Sequence, residues 1–539
     1  MDSALLFGFP LVLAAWAGIM VNWRWGVYGL IAYTPFTGPV VAAMFPSPLG
    51  ALMRDILVVV PLYLSFFLLG RNARFGRIPS LLYAAYGLLA LMVLFAAANP
   101  GVPNLMVAGI GTKVWLFYIP MLVIGASFIR GEADVRNFLR ALVVTAWIPW
   151  GLGIIMYLGA TFYDYVNTIT FFYGEYARHA TQQFSAFYSY GAVLYRIPGS
   201  FQFNSQYGVF CFFMLFPMLM LLEIERERRW RTFVWASMVV GLVAGFTSGA
   251  RGNFIFMPLI FVMVQFFKFR ASGVIQSVIG MGGGLIMALS IAGIDGSKIY
   301  SEAADLTATY GRDIAVMGLM DGLDRGGMFG RGVGANTGAA RHGQDAAAAA
   351  LMEQKGTLIE NYYGKAMVEL GAVGFFIVLS CSLLLFLYCL QVQTSLKLQP
   401  LKGVAACGTA MVAFIILTSF KGWALDTDPL NYYFYLTLGV VFALPTVERQ
   451  WLAAAQRSAA HVPVAPPAAA EDAEPSEPVT GPAPRPVRAA AVPFASRALI
   501  GRPGPHRRGP EALARPAATA APDDSFELGP RLRRPPREE

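Results

Sequence analysis

The sequence predicts an all-α polytopic membrane protein with about thirteen transmembrane helices, within a range of about 12–14. Three observations support this class. Hydrophobic residues make up 56% of the 539 residues and charged residues only 14%, whereas soluble proteins are nearer half and a quarter. The apolar residues form blocks long enough to cross roughly 30 Å of hydrocarbon as helices. Lys and Arg gather in alternate connections between these blocks.

Each apolar block is separated from the next by a short polar or charged stretch. The predicted spans are 4–21, 27–45, 56–70, 81–98, 109–129, 141–160, 206–222, 233–247, 254–267, 273–294, 364–391, 404–420 and 431–447. Two connections are much longer than the rest, at 161–205 and 295–363.

The positive residues set the orientation, because cytoplasmic loops of membrane proteins carry the excess of Lys and Arg. One set of alternate loops carries Arg24, Arg71, Arg74, Arg77, Arg130, Arg136, Arg140, Arg226, Arg228, Arg229, Arg231, Lys268, Arg270, Lys397 and Lys402. The short loops of the other set carry Arg54, Arg251 and Lys421. This bias puts the C-terminus in the cytoplasm and both long loops outside.

These boundaries divide the chain into six regions. They are N-terminal transmembrane helices at 1–160, an aromatic-rich periplasmic loop at 161–205, central transmembrane helices at 206–294, a large periplasmic loop at 295–363, C-terminal transmembrane helices at 364–451, and a tail at 452–539. The tail holds half of the 34 prolines and shows no hydrophobic period, so we expect it to be disordered.

The formal net charge of +9 does not indicate nucleic acid as a partner, because the positive residues are spread over the inner loops. Membrane lipids are the expected surroundings. The cysteines, Cys211, Cys381, Cys389 and Cys407, fall inside predicted helices without metal-ligand spacing. We interpret them as small apolar packing residues.

The first outer loop ends in a candidate anion site. The run Arg196-Ile-Pro-Gly-Ser-Phe-Gln-Phe-Asn204 turns at its Pro-Gly step and places Arg196 and Asn204 above the seventh predicted helix. Aromatic residues precede it, including Tyr195, and such rings stack on sugars or sit at the membrane interface. Composition alone favours the interfacial role.

A second arginine lies in the tight turn Thr247-Ser-Gly-Ala-Arg251-Gly-Asn253. A planar guanidinium can clamp two phosphate oxygens. The competing explanation is that Arg251 bonds to carbonyls at a helix end. In the large loop, Gly326–Asn336 is rich in glycine, which suits either backbone binding of an anion or a simple turn.

The run Glu360-Asn-Tyr-Tyr363 precedes the helix that carries Lys365 and Glu369. Glu360 is placed to accept a proton from a sugar hydroxyl, or alternatively to cap the helix. For Glu369 we favour an ion pair with a buried cation such as Lys113 or Lys365. Asp426-Thr-Asp428 spells a D-x-D, a weak indication of a divalent metal.

The order of these motifs resembles the O-antigen ligase and polymerase superfamily of bacterial surface-polysaccharide assembly. The motifs are Arg196-Ile-Pro-Gly199, Ser248-Gly-Ala-Arg251-Gly252, Gly332-Val-Gly334, Glu360-Asn-Tyr-Tyr363 and Glu369-Leu-Gly-Ala-Val-Gly374. The resemblance covers about residues 196–375.

The resemblance implies a metal-independent, inverting glycosyltransferase of the GT-C type that needs no cofactor. Its donor would be an undecaprenyl-pyrophosphate-linked glycan at the outer face of the bacterial inner membrane. Arg196 and Arg251 would hold the pyrophosphate, and Glu360 would be the base. The ligase branch has His-Asn where this chain has Glu360-Asn361, so either Glu360 is the base, or His342 is, or the chemistry differs, and polymerase is favoured over ligase. The expected substrate-binding residues are Arg312, Asn204, Tyr195, Asn361, Tyr362 and His342.

Two functions of other classes remain open. A transporter or flippase would show interrupted helices and polar residues near the bilayer midplane. A scaffold for an export complex would use the tail but would leave the outer arginines without a role. A chain-length regulator or an export complex is a possible partner of the polymerase.

Overall fold

A computed structural model describes residues 3–43, 49–69, 75–174, 186–189, 192–250, 252–291, 301, 304–305, 308–336, 359–427 and 429–460. The predicted helical class is confirmed: in this part of the chain, eight helices are long and apolar enough to cross a membrane. They are Ser80–Ala97, Leu105–Phe128, Glu132–Phe162, Asn204–Ile224, Arg228–Thr247, Tyr362–Ser395, Gln399–Thr418 and Leu430–Arg457. The other five predicted spans fall on helices that are short, divided or only partly described.

The described residues up to Tyr173 form ten helices. They are α1 Ser3–Val21, α2 Trp23–Tyr33, α3 Thr37–Ala43, α4 Leu49–Arg54, α5 Val60–Tyr63, α6 Ser80–Ala97, α7 Leu105–Leu116, α8 Pro120–Phe128, α9 Glu132–Phe162 and α10 Tyr165–Tyr173. Short 3₁₀ and π-helical turns at Thr34–Phe36, Asp55–Val59, Leu64–Leu68 and Phe75–Arg77 connect or extend them.

A small antiparallel hairpin follows, with β1 at Ala186–Ser189 and β2 at Ala192–Tyr195, and Ala186 opposite Tyr195. It lies within the predicted aromatic-rich loop. The later helices are α11 Asn204–Phe213, α12 Leu215–Ile224, α13 Arg228–Thr247, α14 Asn253–Phe267, α15 Ala271–Ile291, α16 Gly318–Gly326, α17 Tyr362–Ser395, α18 Gln399–Thr418 and α19 Leu430–Ala460. A π-helical segment, Thr309–Met317, leads into α16, and a 3₁₀ turn, Ala424–Asp426, lies between α18 and α19.

The last helix corrects one predicted boundary. The tail is predicted to begin at residue 452, but α19 continues to Ala460. Alanine and long polar side chains favour helix, so the sequence Leu-Ala-Ala-Ala-Gln-Arg after Trp451 extends α19 beyond its apolar part. The remainder of the predicted tail lies outside the described residues.

α19 is the most buried of the spanning helices and packs closely against α8. Gly125 and Gly439 make this approach possible, because a methyl group on Gly439 would lie 2.7 Å from the Gly125 carbonyl carbon. Small residues at helix interfaces allow such backbone contact within membranes. All four cysteines are buried, as expected of small apolar packing residues.

The two sets of alternate loops lie at opposite ends of the helices. At one end, Arg140 pairs with Glu225 at 2.7 Å, Lys268 pairs with Glu223 at 2.7 Å, and Arg77 donates to the Ile129 carbonyl at 2.6 Å. These are the connections predicted to be cytoplasmic, and we call this the arginine-rich end. The other end, which carries the ends of both long loops, is called the loop end.

Candidate functional site

The segment that carries Arg196 lies directly against the turn before Arg251. The amide of Ile197 donates to the Ser248 carbonyl at 3.2 Å. Gly249 has φ +71°, and a methyl group on it would lie 2.9 Å from the Arg196 Cα atom. Only glycine fits this close approach and this backbone conformation. The sequence predicted that both arginine segments lie on the same side of the membrane. The structure brings their backbones into contact.

Aromatic residues of α10 hold the Arg196 segment in place. The Tyr165 ring stacks on the Tyr195 ring with a centroid distance of 5.4 Å, and the Tyr165 hydroxyl donates to the Arg196 carbonyl at 3.1 Å. Burial raises the pKa of the Tyr165 hydroxyl, and the nearby Arg196 charge partly offsets this rise. The hydroxyl therefore stays protonated as a donor. Tyr173 similarly donates to the Gly199 and Phe201 carbonyls.

A buried asparagine organises the turn between α13 and α14. The Asn253 side-chain amide lies 3.1 Å from the Gly208 carbonyl, the Gly245 carbonyl and the Ser248 hydroxyl. These bonds tie the turn to the first turns of α11. Arg251 itself lies outside the described residues, so the structure locates its neighbours Ala250 and Gly252 but not its side chain.

We expect Asn253→Ala to lower the free energy of unfolding by about 1–3 kcal/mol, because it removes the buried donor of two carbonyls and one hydroxyl. The midpoint of thermal unfolding in detergent measures this change. Thr247→Ala is the matched control, since the Thr247 hydroxyl bonds back to the Val243 and Ala244 carbonyls of its own helix. Equal stability of the two variants would contradict the role assigned to Asn253.

Lys421 is a cation of this site that the sequence reasoning did not single out. Its Nζ atom would lie 3.2 Å from a methyl group on Gly252 and lies 5.1 Å from the Phe256 ring centroid. Lys421 follows α18, so the connection between α18 and α19 reaches the Arg251 turn. The signal in the sequence was its membership of the sparse outer set of charges.

The same connection also holds the start of α17. The Tyr362 amide donates to the Ser419 carbonyl at 3.0 Å, and the Trp423 indole donates to the Ile359 carbonyl at 2.8 Å. Glu360 is exposed between these anchored residues. The cap of α17 is Asn361, which accepts from the Gly364 amide, so Glu360 is not needed for capping.

Asn361 and Tyr362, both predicted to bind substrate, are buried. The Asn361 amide also donates to the Ile314 carbonyl at 2.7 Å, which joins α17 to the π-helical segment of the large loop. Tyr362 packs on the Trp115 ring at 5.3 Å. Arg312 is exposed on that π-helical segment, and Asn204 is the half-buried first residue of α11. His342 lies outside the described residues.

The glycine-rich segment docks onto a break in α17. Helix α17 is interrupted at Gly371, where φ is +74° and ψ is −178°. The amides of Arg331 and Gly332 donate to the Val368 and Glu369 carbonyls at 2.8 and 3.1 Å, and the Ala372 amide donates to the Gly327 carbonyl at 3.0 Å. These amides are hydrogen-bonded to backbone carbonyls beside the break in α17. They therefore form a structural junction and not an open anion cradle.

The prediction that Glu369 pairs with Lys113 or Lys365 is wrong. Lys113 pairs with Asp55, and Lys365 pairs with Asp426. The Glu369 carboxylate instead accepts from the Trp115 indole at 2.7 Å and the Asn336 amide at 2.9 Å. Neutral donors from a helix and a loop can satisfy a buried carboxylate, and hydropathy does not reveal them.

Asp426, the first carboxylate of the D-x-D, is engaged by Lys365, and Asp428 lies outside the described residues. Within the described ranges, no group of three or more His, Cys, Asp or Glu side chains is arranged to hold a metal ion.

A polar crevice beside the Arg196 segment contains an arginine that sequence reasoning counted only as a loop charge. Arg54 is buried, and its guanidinium lies 4.4 Å from the Tyr432 ring centroid. The crevice is lined by Tyr33, Thr37, Val41, Gly50, Arg54, Gln202 and Gln206. Its amides and guanidinium suit hydroxyl or phosphate oxygens. The signal was an arginine at the very start of an apolar block.

These features define a helical, multi-pass membrane protein with a polar, cation-bearing site at the loop end. The site joins the 195–206 segment, the 248–253 turn, the 419–427 connection and the start of α17. A scan against protein-family models and a search of curated proteins find no match for this chain.

Proposed function

We propose that the chain is a polymerase that joins undecaprenyl-pyrophosphate-linked oligosaccharide repeat units at the outer face of the bacterial inner membrane, in exopolysaccharide or O-antigen synthesis. The proposal includes a GT-C-like arrangement with about thirteen crossings, the loop end facing the periplasm. The observation that carries it is the contact between the Arg196 segment and the turn before Arg251. Two arginine-bearing segments in contact are what a pyrophosphate clamp requires.

In the proposed reaction, an acceptor sugar hydroxyl attacks the anomeric carbon of the donor glycan. The new carbon–oxygen bond forms as the bond from the anomeric carbon to the pyrophosphate oxygen breaks, with inversion. The hydroxyl proton passes to Glu360, or alternatively to His342, and undecaprenyl pyrophosphate leaves. Arg196, Arg251 and Lys421 stabilise the negative charge that develops on the leaving group. No nucleotide is consumed, because cleavage of the donor's glycosyl–phosphate bond, with undecaprenyl pyrophosphate as the leaving group, supplies the driving force.

We expect Arg196→Ala and Arg251→Ala to slow polymerisation by about 100- to 1000-fold, the usual effect of removing one preorganised charge-stabilising donor. Purified variants would receive lipid-linked repeat units, and gel analysis would follow the chain-length ladder. Arg136→Ala is the matched control, because Arg136 pairs with Glu132 at the arginine-rich end. Full polymerisation by Arg251→Ala would overturn the mechanism.

Two further experiments distinguish the candidate bases from each other and a polymerase from a ligase. Glu360→Gln and His342→Ala, assayed side by side across pH, identify the base, since only loss of the base abolishes the acidic limb of the rate profile, where protonation of the base lowers the rate. Product formed without lipid A core defines a polymerase. Product that requires lipid A core as acceptor defines an O-antigen ligase.

A second candidate function is a polysaccharide or lipid transporter. The interruption of α17 at Gly371, next to the buried carboxylate of Glu369, favours it, because broken helices beside buried charges are typical of transport sites. The test uses proteoliposomes that contain a fluorescent lipid-linked glycan. Movement of the glycan between leaflets without formation of longer chains would support the transporter over the polymerase.

A further inference from the structure

The helix α16 presents three different faces to its surroundings. Gly318, Gly322 and Gly326 turn towards the start of α17. A methyl group on Gly322 would lie 2.8 Å from the Gly364 carbonyl oxygen, and one on Gly326 would lie 3.0 Å from the Val368 Cα atom. This glycine face allows backbone contact and fixes the rotation of α16 about its own axis. Asp321 and Asp324 lie on a second, exposed face.

The third face is apolar and exposed. Met320 and Leu323 lie on it, at i and i+3, and the side chain of Met320 is 58% exposed. Val316 precedes them, and Met328 and Phe329 follow, with Phe329 60% exposed. We call Val316, Met320, Leu323, Met328 and Phe329 the apolar loop face. Large apolar side chains gathered on one exposed face indicate an interaction surface.

The apolar loop face is continuous with the outward surface of α6. Helix α6 is a candidate membrane span, and only 22% of its apolar window is buried inside the protein. Its exposed side includes Leu88, Leu91 and Phe95. The Phe95 ring, near the end of α6, contacts the Phe329 ring edge-on at a centroid distance of 6.3 Å. The exposed apolar surface of α6 therefore continues directly into the apolar loop face.

We propose that residues 309–329 form an interfacial helical segment whose apolar loop face inserts into the bilayer surface at the loop end. The occupant of this face is membrane lipid, because the face continues the lipid-facing surface of α6 and because a polar face, which carries Asp324 and the Asp321–Arg325 pair, adjoins it on the solvent side. Insertion of such a helix places its apolar side about 5–10 Å into the headgroup and acyl boundary. The inference goes beyond the proposed function and does not depend on it.

Lipid contact at this segment reaches the candidate site through the start of α17. Asn361 donates to the Ile314 carbonyl at 2.7 Å and accepts from the Gly364 amide, so it joins the interfacial segment to the start of α17. Glu360 is its immediate neighbour in the chain. The depth of the segment in the bilayer thereby sets the height of Glu360 above the hydrocarbon.

The test uses the full chain reconstituted in vesicles of phosphatidylethanolamine and phosphatidylglycerol, with an environment-sensitive fluorophore at Met320→Cys. The native cysteines are buried, and the unsubstituted chain measures their background labelling. We expect lipids with a spin label at acyl position 5 to quench Met320→Cys at least about twofold more than Asp324→Cys on the adjacent face. Aqueous iodide should show the reverse order.

Two results would overturn the proposal. One is equal iodide quenching at both positions, which would mean that the apolar loop face lies in water. The other is protection of Met320→Cys from both quenchers, which would mean that protein covers the face. Leu323→Cys repeats the measurement if Met320→Cys fails to fold. Because the readout is fluorescence, a loss of polymerisation activity leaves the result unchanged.

Discussion

Gly371→Ala is expected to destabilise the chain by more than about 4 kcal/mol, at the extreme end of single substitutions. Two causes act together. The backbone at Gly371, with φ +74° and ψ −178°, is in a region used almost only by glycine, which costs any other residue about 1–3 kcal/mol. A methyl group would also lie 2.5 Å from the Gly330 nitrogen, inside van der Waals contact, where backbone cannot move aside.

Gly327→Ala provides the matched control for this prediction. Gly327 has φ +58° and ψ −145°, but a methyl group there would meet no atom within 4 Å. It should therefore cost only the conformational part, about 1–3 kcal/mol. Thermal unfolding in detergent, followed by size-exclusion chromatography, compares the two. If both variants melt at the same temperature, close packing of Gly371 against the glycine-rich segment contributes nothing.

Lys365→Met should lower the free energy of unfolding by about 3–5 kcal/mol, because it leaves the carboxylate of Asp426 beside the protein interior without its cation. Lys365 is fully buried, pairs with Asp426, and lies 5.0 Å from the Trp115 ring centroid. The pair joins α17 to the connection between α18 and α19, so the loss should also loosen the 419–427 connection.

A double variant distinguishes the loss of the ion pair from the loss of the Lys365 side chain itself. Lys365→Met with Asp426→Leu should recover most of the stability, because an apolar pair of similar volume replaces the two charges. Lys397→Met is the control for a surface lysine, since Lys397 is exposed at the arginine-rich end, and it should change stability by less than about 0.5 kcal/mol. A double variant as unstable as Lys365→Met alone would contradict an ion-pair origin.

The positions of the helices were largely predictable, because hydrocarbon thickness sets the length of each apolar block and Lys and Arg residues mark the loops between the blocks. Arg140 and Lys268 illustrate this, since both lie at the same end of the helices, as the alternation of the charged loops predicts. The contact between the Arg196 and Arg251 segments was also implied, because both segments lie at the outer ends of predicted helices and therefore at a similar depth relative to the membrane.

The partners inside the site were not predictable in the same way. Glu369 accepts from Trp115, which lies 254 residues away in the chain, and no periodic pattern connects two such residues. Arg54 was counted as a loop charge, yet it is buried, where it pairs with Asp55 at 3.3 Å and lies over the Tyr432 ring of α19, and hydropathy does not reveal these contacts. The docking of the glycine-rich segment depends on a break in α17 at Gly371, and a glycine inside a helical pattern does not by itself reveal such a break.

The junction at Gly371 imposes an order on biogenesis. The Val368 and Glu369 carbonyls of α17 bond to the amides of Arg331 and Gly332, which the ribosome makes before α17. Unsatisfied backbone groups are costly in lipid. The glycine-rich segment Gly326–Asn336 must therefore already lie at the loop end when α17 inserts, so that backbone made earlier in synthesis supplies the hydrogen-bond partners of backbone made later.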